Sequence, residues 1–259
     1  MSAAPVGPSV SNAARFAARP LSDGGTPAHV WLRAQRELPL LDLTSCPEII
    51  VIAAHPDDET LGFGGTAAML ADMGVRVQVV AVSDGGASHG NLSPVDRSRL
   101  EHVRRAELDR AVDALGLPAP MSLGLPDGEI GDHADRLADM LTEVLAARPT
   151  GTWCAATWRS DGHPDHEAVG RAAAVAVRRT GAQLVEYPVW MWHWAQPSDD
   201  AVPWERAYQV ALTPEAVGRK RVAAQLFQSQ QEDRDENAGP ILPPFVLDRL
   251  LVVGEVVFR

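Results

Sequence analysis

The chain has 259 residues, 46% of them hydrophobic and 22% charged, which is long enough to bury a substantial core and too apolar for a disordered segment. Its 34 acidic residues outnumber 23 basic ones, and the net charge of −11 argues against non-specific binding to nucleic acid or to an anionic membrane, but not against a neutral small substrate. Cys46 and Cys154 supply neither a disulfide framework nor a CxxC zinc pair, and no apolar run reaches the ~20 residues of a bilayer span, so a cytoplasmic protein is expected.

Residues 1–47 are rich in Ala, Pro and Ser as far as about Pro27 and then hold one helical candidate, His29–Arg36. The segment lacks the contiguous apolar stretch of a secretory leader. Arg15 and Arg19 give a faint transit-peptide signal, but the expectation is an arm wrapping a domain at 48–259. Ile49–Ala54 is a short run rich in β-branched residues, the mark of a buried parallel strand. Thr60–Met73 is helical in composition and stops at Gly74. Val75–Val82 is a second strand, Ser83–Asp96 a glycine-bearing loop and Arg97–Leu115 a helix stopped by Gly116. Then come a strand at Met121–Leu123, a helix at Ala134–Ala147, a strand at Thr152–Thr157, a helix at Asp165–Arg179 and a strand at Gln183–Tyr187. The tail is expected as strand Ala207–Leu212, helix Pro214–Phe227 and a last strand Leu250–Phe258. This alternation predicts an α/β, Rossmann-like fold, a mostly parallel sheet with helices on both faces. Ligands bind such sheets outside the carboxyl ends of the strands.

Two segments at such ends carry chemistry: His55-Pro56-Asp57-Asp58-Glu59 after the first strand and Asp161-Gly162-His163-Pro164-Asp165-His166-Glu167 after the fourth. Both are expected to lead into helices, with Pro56 and Pro164 in the first turn. Acids there suit the helix dipole, which is reason enough for Asp57, Asp58, Glu59, Asp165 and Glu167. It does not explain His55, His163 and His166 in a chain with eight histidines. Two imidazoles and a carboxylate can bind Zn²⁺ and leave a position open for water. Spacing does not choose between Asp57 and Asp58 as the ligand.

The pairing of AHPDDE with a later HPDH resembles the PIG-L/LmbE-like family of metal-dependent N-deacetylases. Arg104-x-x-Glu107-Leu108 with Leu115-Gly116, Leu125-Pro126-Asp127-Gly128 and Ser229-Gln230 are similar to weaker features of that family. The resemblance implies metal ligation by His55, Asp58 and His166. It also implies a general base at Asp57, and polarisation of the substrate or stabilisation of the oxyanion by His163. The ion implied is Zn²⁺, with Fe²⁺ or another divalent metal as the alternative. Some members carry a Tyr where this chain has Asp161, so no role passes to that position.

Further residues have two readings each. Arg104 shares a helical stripe with Leu100 and Leu108 and either contacts substrate or forms a surface pair with Glu107. Asp127 accepts a sugar hydroxyl or only makes a Pro-Asp-Gly turn. Trp190-Met191-Trp192-His193-Trp194, if extended, puts the tryptophans on one face and His193 on the other. It is then either a saccharide platform, with Trp192 and His193 in contact with substrate, or a packing cluster. The glycine-rich stretch Leu61–Gly65 follows an acidic cluster that would repel a phosphate, so a dinucleotide site is not expected.

The expected function is a zinc-dependent hydrolase removing an N-acyl group, acetyl first, from a GlcNAc-type amino-sugar conjugate. An amidase on a thiol-sugar conjugate or a glycosylated secondary metabolite is the same-class alternative. An Fe(II) oxygenase and a catalytically inactive sugar-binding member are the alternatives from other classes. A homo-oligomer is left open.

Overall fold

A computed structural model describes residues 10–34, 36–234 and 239–259. The first strand, β1 (Glu48–Ala53), is buried at every position. Its side chains alternate between two cores: Ile49 and Val51 enter one, Ile50 and Ile52 the other. A strand buried on both faces must lie inside a sheet, and β1 pairs in parallel with β2 (Arg76–Ser83) on one side and β4 (Trp153–Thr157) on the other. With β3 (Met121–Leu125), β5 (Gln183–Tyr187), β6 (Ala207–Val210) and β7 (Glu255–Phe258) the sheet runs β3-β2-β1-β4-β5-β7-β6. β3, β2, β1, β4 and β5 are mutually parallel, and β7 is antiparallel to both its neighbours. The fold is the expected α/β sheet covered on both faces.

The arm contributes two short helices, α1 (Asn12–Ala17) and α2 (Ala28–Arg33), the latter three residues shorter at its end than His29–Arg36. After β1 comes α3 (Asp58–Asp72), after β2 comes α4 (Pro94–Ala114) and after β3 comes α5 (Ala134–Ala146). After β4 comes α6 (Pro164–Thr180), and after β5 a single turn, α7 (Met191–Trp194). The tail adds α8 (Pro214–Ala224), a turn α9 (Gln228–Gln231) and α10 (Pro244–Val252). Apolar side chains of α5 and α6 pack on the Ile50 face, and those of α3, α4, α8 and α10 on the Ile49 face.

The chain leaves β1 toward β2 and β3 on one side and returns to β4 and β5 on the other, which puts a topological switch point between β1 and β4. Both His-Pro-Asp segments emerge there.

Three expectations are corrected. The tail is not one strand over Leu250–Phe258: α10 runs to Val252, and Gly254, at φ +81°, reverses the chain into β7. Pro56 is not in a helix, because α3 starts two residues later, whereas Pro164 does open α6. Trp190–Trp194 is not extended but forms the turn α7. No helix among the described residues is long and apolar enough to cross a membrane.

Candidate active site

β1 and β4 deliver their motifs side by side. His55, at the end of β1, has Nε2 3.0 Å from Asp127 Oδ1 and 3.1 Å from Asp165 Oδ2, and Nδ1 3.4 Å from Asp58 Oδ2. His166, 0% exposed on the first turns of α6, has Nε2 3.2 Å from Asp58 Oδ1. Its Nδ1 lies 2.8 Å from Asp161 Oδ2. The expected ligands His55, Asp58 and His166 are therefore brought together, each offering an atom within 4.8 Å of the others.

His55, His163 and Asp165 form a second grouping of the same kind. The two can be told apart by what their atoms already do. Asp165 accepts from the backbone N–H groups of Gly128 (2.8 Å) and Ile130 (3.2 Å) as well as from His55, and His163 Nδ1 accepts the Asp165 N–H at 3.3 Å. His166 Nε2, by contrast, is buried with no hydrogen-bond partner among the described residues. With Nδ1–H given to Asp161, loss of the ring's second proton exposes the lone pair of that nitrogen beside a carboxylate, as a metal ligand requires. The residues present fit a divalent ion at His55, Asp58 and His166.

Asp57 sits between β1 and α3 at φ 135°, ψ −31°, and among the described residues no other non-glycine has a positive φ. Such a conformation costs on the order of 1–3 kcal/mol and persists only where the surroundings impose it. Here Arg104 imposes it. Buried to 2% exposure on α4, Arg104 donates from Nη2 to Pro56 O at 2.7 Å and to Asp57 Oδ2 at 3.1 Å, and from Nη1 to Gly85 O at 2.9 Å. Glu59 adds a carboxylate oxygen to the Asp57 N–H at 3.2 Å.

The charges divide the site. Burial raises the Asp57 pKa to about 8, against the pull of Arg104. Burial likewise raises Glu59 to about 7. Asp58 is buried too, yet the two histidines hold it well below the usual carboxylate range. Burial by itself would depress His55, but Asp127, Asp165 and Asp58 outweigh it and raise it well above 6.5. His166 likewise rises to about 9, its burial outweighed by Asp58 and Asp161. His163 has no such compensation: burial and the two neighbouring histidines lower it to about 3, so it is neutral.

Four of these groups, His55, Asp57, Asp58 and His163, face a cavity of about 310 Å³. Arg104 and Asp127 line it too, with Leu61, Val189, Trp190, Ile241 and Leu242 as an apolar wall. Arg104 and Glu107 are not a surface pair: both are buried, and Glu107 instead accepts from Ser229 N (2.8 Å) and Ser229 Oγ (2.7 Å). Asp127 lines the cavity with its oxygens already facing Ala87 N (2.7 Å) and His55.

Trp192 and His193 are not in the cavity. Trp192, 6% exposed, packs edge-on against Trp31 of the arm, and its carbonyl accepts the Trp31 Nε1–H at 3.0 Å. His193 turns to Arg19 O and Arg249. The helical turn replaces the extended segment on which a shared tryptophan face depended, and Trp190 alone of the three reaches the cavity wall.

Gln230 was visible only as part of a weak motif. It is 0% exposed and lines the cavity, its Nε2 donates to Ser229 Oγ at 3.0 Å, and its Oε1 has no partner among the described residues. Because Ser229 Oγ gives its hydrogen to the carboxylate of Glu107, it can only accept from Gln230, which fixes the amide with its oxygen free.

Residues 50–177 match the family model described as PIG-L: GlcNAc-PI de-N-acetylase. The chain is 31% identical over 134 residues to a Bacillus cereus protein named probable N-acetyl-alpha-D-glucosaminyl L-malate deacetylase 2, covering 51% of this chain and 61% of that one. It is 32% identical over 164 residues to a Mycobacterium sp. (strain KMS) 1D-myo-inositol 2-acetamido-2-deoxy-alpha-D-glucopyranoside deacetylase, covering 54% and 53%. These alignments thus span between about half and three fifths of the relatives' own lengths. In fold it is similar to N,N'-diacetylchitobiose deacetylase from Pyrococcus horikoshii, with a TM-score of 0.58, 22% identity and 72% of each chain covered.

Proposed function

We propose, from the premise that the chain belongs to the PIG-L family over residues 50–177, that it is a metal-dependent hydrolase removing the N-acetyl group from a GlcNAc-type amino-sugar conjugate. The observation that carries this reading is the His55–Asp58–His166 cluster, whose His166 Nε2 is buried with no hydrogen-bond partner among the described residues, set beside a strained Asp57 that lines the cavity with His55 and Asp58. The ion we assign is Zn²⁺, because two imidazoles and one carboxylate with an open position are a zinc hydrolase's donor set, with Fe²⁺ as the alternative. A bound divalent ion supplies Lewis acidity toward a carbonyl oxygen and lowers the pKa of water.

The remaining work falls to the chain's own side chains. Asp57 lines the cavity with Oδ2 tied to Arg104, and a carboxyl whose pKa is raised to about 8 is suited to exchange a proton near neutral pH, taking it from water and returning it to the leaving amine. Arg104 thereby acts through Asp57 as a positioning residue. His163 Nδ1 accepts a backbone N–H, so the neutral ring carries its proton on Nε2 and donates to the oxygen that gains charge at the acetyl carbonyl. Asp127 and Asp165 hold His55 Nε2–H, which leaves Nδ1 for the ion. Gln230 Oε1 is placed to accept a hydroxyl hydrogen of the substrate.

The relatives' names support an N-acetylglucosaminyl substrate. Acetate release from a panel of N-acetylglucosaminyl glycosides, measured beside the metal content of the purified protein, tests the reading. Acetate from at least one glycoside at about one divalent ion per chain is the expected result. Full metal loading with no acetate from any of them points to an inactive sugar-binding member.

A further inference from the structure

We propose that the N-terminal arm belongs to the working site: through the turn α7 and Asp161 it fixes the ring of His166 in the orientation a metal ligand needs. This rests on the reading of His166 as a ligand.

Asp161 is 0% exposed and saturated with donors. Its Oδ2 accepts from His166 Nδ1 at 2.8 Å and from Trp190 N at 2.9 Å, and its Oδ1 accepts from Val189 N at 3.0 Å and Met191 N at 2.9 Å. The Asp161 carbonyl accepts the Trp194 Nε1–H at 2.7 Å. A carboxylate held by three backbone N–H groups has one orientation. The His166 ring can therefore swing only if the backbone of residues 189–191 moves with it.

The arm holds the continuation of that backbone, residues 192–195. Thr26 N donates to His193 O at 2.9 Å, Thr26 Oγ1 to Ala195 O at 2.6 Å and Trp31 Nε1 to Trp192 O at 3.0 Å. On the other flank Asn12 Nδ2 donates to Ser160 O at 2.8 Å, and the Phe16 ring lies 5.2 Å from Trp190 and 6.2 Å from His163. Gly162, at φ +96°, records how tightly α1 closes on this loop: a Cβ there would sit 2.9 Å from Phe16 Cβ and 3.1 Å from Asn12 O. The arm thus grips the loop that carries Asp161 and the turn that Asp161 is bonded to. It lies outside residues 50–177, the part of the chain that matches the family model.

Outer partners of ligating histidines are worth roughly 10–100-fold in metal affinity. Titration of the 259-residue chain with Co²⁺ against a chromophoric chelator reads this as affinity, and the visible spectrum of bound Co²⁺ reads ligand geometry independently of turnover. Asp161→Asn puts a donor where the carboxylate only accepts. It should weaken Co²⁺ binding roughly 10–100-fold and change the spectrum. Phe16→Ala leaves the hydrogen bonds in place and should weaken binding in the same direction by a smaller factor. Arg179→Ala, which removes an exposed ion pair with Asp139, should do neither. Unchanged affinity and spectrum in Asp161→Asn overturn the proposal, and the same result in Phe16→Ala removes the arm from it. Should Asp161→Asn fail to fold, Phe16→Ala decides alone. A wild-type chain that binds no Co²⁺, or a His166→Ala chain that binds it equally well, overturns the ligand reading underneath and the inference with it.

Discussion

The two motifs begin with the same three residues, His-Pro-Asp, and end in opposite electrostatic states. After β1, His55 and Pro56 stay outside the helix and Asp57 takes the strained position ahead of α3. After β4, His163 is itself the cap of α6, Pro164 its first residue, and Asp165 is ordinary helix. That two-residue difference in where the helix starts decides the chemistry. It turns Asp57 into a buried carboxyl raised to about 8, and leaves Asp165 stabilised as a carboxylate by two backbone N–H groups and His55. Around them, Asp127, Asp165 and Asp58 surround His55 with carboxylates, whereas burial and two neighbouring histidines leave His163 neutral, lowered to about 3. A shared tripeptide is therefore a poor guide to role, because role follows from the helix register and from what the rest of the fold brings against it.

The sharpest way to break the comparison is to take one ligand from each motif. His55→Ala and His166→Ala should each drop the bound divalent metal well below one per chain and abolish activity, since each motif supplies part of one site. Elemental analysis of the purified variants checks this, and full occupancy in either variant removes that histidine from the ligand set. Next in size is Asp57→Asn, which removes a base but no proposed ligand. The expected loss is about 10²–10⁴-fold in kcat with metal retained. An empty site in that variant means Asp57 and Asp58 have exchanged roles. His163→Ala should cost about 10²–10³-fold in kcat and kcat/KM together, the loss typical of one oxyanion donor. Because His163 also caps α6, its Asn variant separates the two duties. Asn is a good cap and should restore stability but not turnover, so a fully active His163→Asn chain reduces the histidine to a cap.

Most of the sheet could be read from local pattern, and so could the two His/carboxylate segments, whereas the choice of Asp58 over Asp57 as a ligand rests on the family resemblance. The β-branched run at Ile49–Ala54 could be little else than a buried strand, and two His/carboxylate segments at strand ends in one chain pointed at one another. The failures lie where local pattern is ambiguous. Leu250–Val253 is as apolar as a strand, and its helical state turns on Pro244 at the start and Gly254 at the end. Five residues at Trp190–Trp194 are too few to fix a period. They form a turn because the N–H groups of Trp190 and Met191 converge, with that of Val189, on Asp161, almost thirty residues back. Asp161 and Gln230 escaped for the same reason, since their partners are set by tertiary folding. Arg104 could be placed on the stripe of Leu100 and Leu108, but the strained backbone that it holds at Asp57 could not be foreseen.

The metal-free protein should show the charge contrast in its pH dependence. His166, raised to about 9, contributes stability that is complete below pH 6.5 and lost as the pH rises through 9. Asp57, raised to about 8, acts in the same direction, because the fold keeps a proton that the unfolded chain has released. His163, lowered to about 3, weakens the fold only as pH falls below 6.5. The metal-free chain should therefore lose stability between pH 6.5 and 9 in thermal melts. Added Zn²⁺ should reverse the slope, since the ion binds deprotonated ligands. A flat metal-free profile would argue that the first motif relaxes when the ion is removed.

The smallest effect isolates the backbone difference itself. Ala and Gly both delete the side-chain chemistry, and they differ chiefly in tolerance of φ > 0. At position 57 the observed φ of 135° penalises any residue with a Cβ, so Asp57→Gly should be more stable than Asp57→Ala. The strain relieved is about 1–3 kcal/mol and the entropic cost of glycine is about 0.5–1 kcal/mol. The net expectation is therefore of the order of 1 kcal/mol in favour of glycine. At position 165, the second residue of α6, the backbone is helical and the order should reverse, with Asp165→Gly the less stable by a few tenths to about 1 kcal/mol. Urea denaturation of the four metal-free variants measures both differences, and the prediction concerns their signs. If alanine is the more stable at both positions, the turn after β1 is not strained, and the fixed geometry of Asp57 has to come from Arg104 and Glu59 holding an otherwise ordinary backbone.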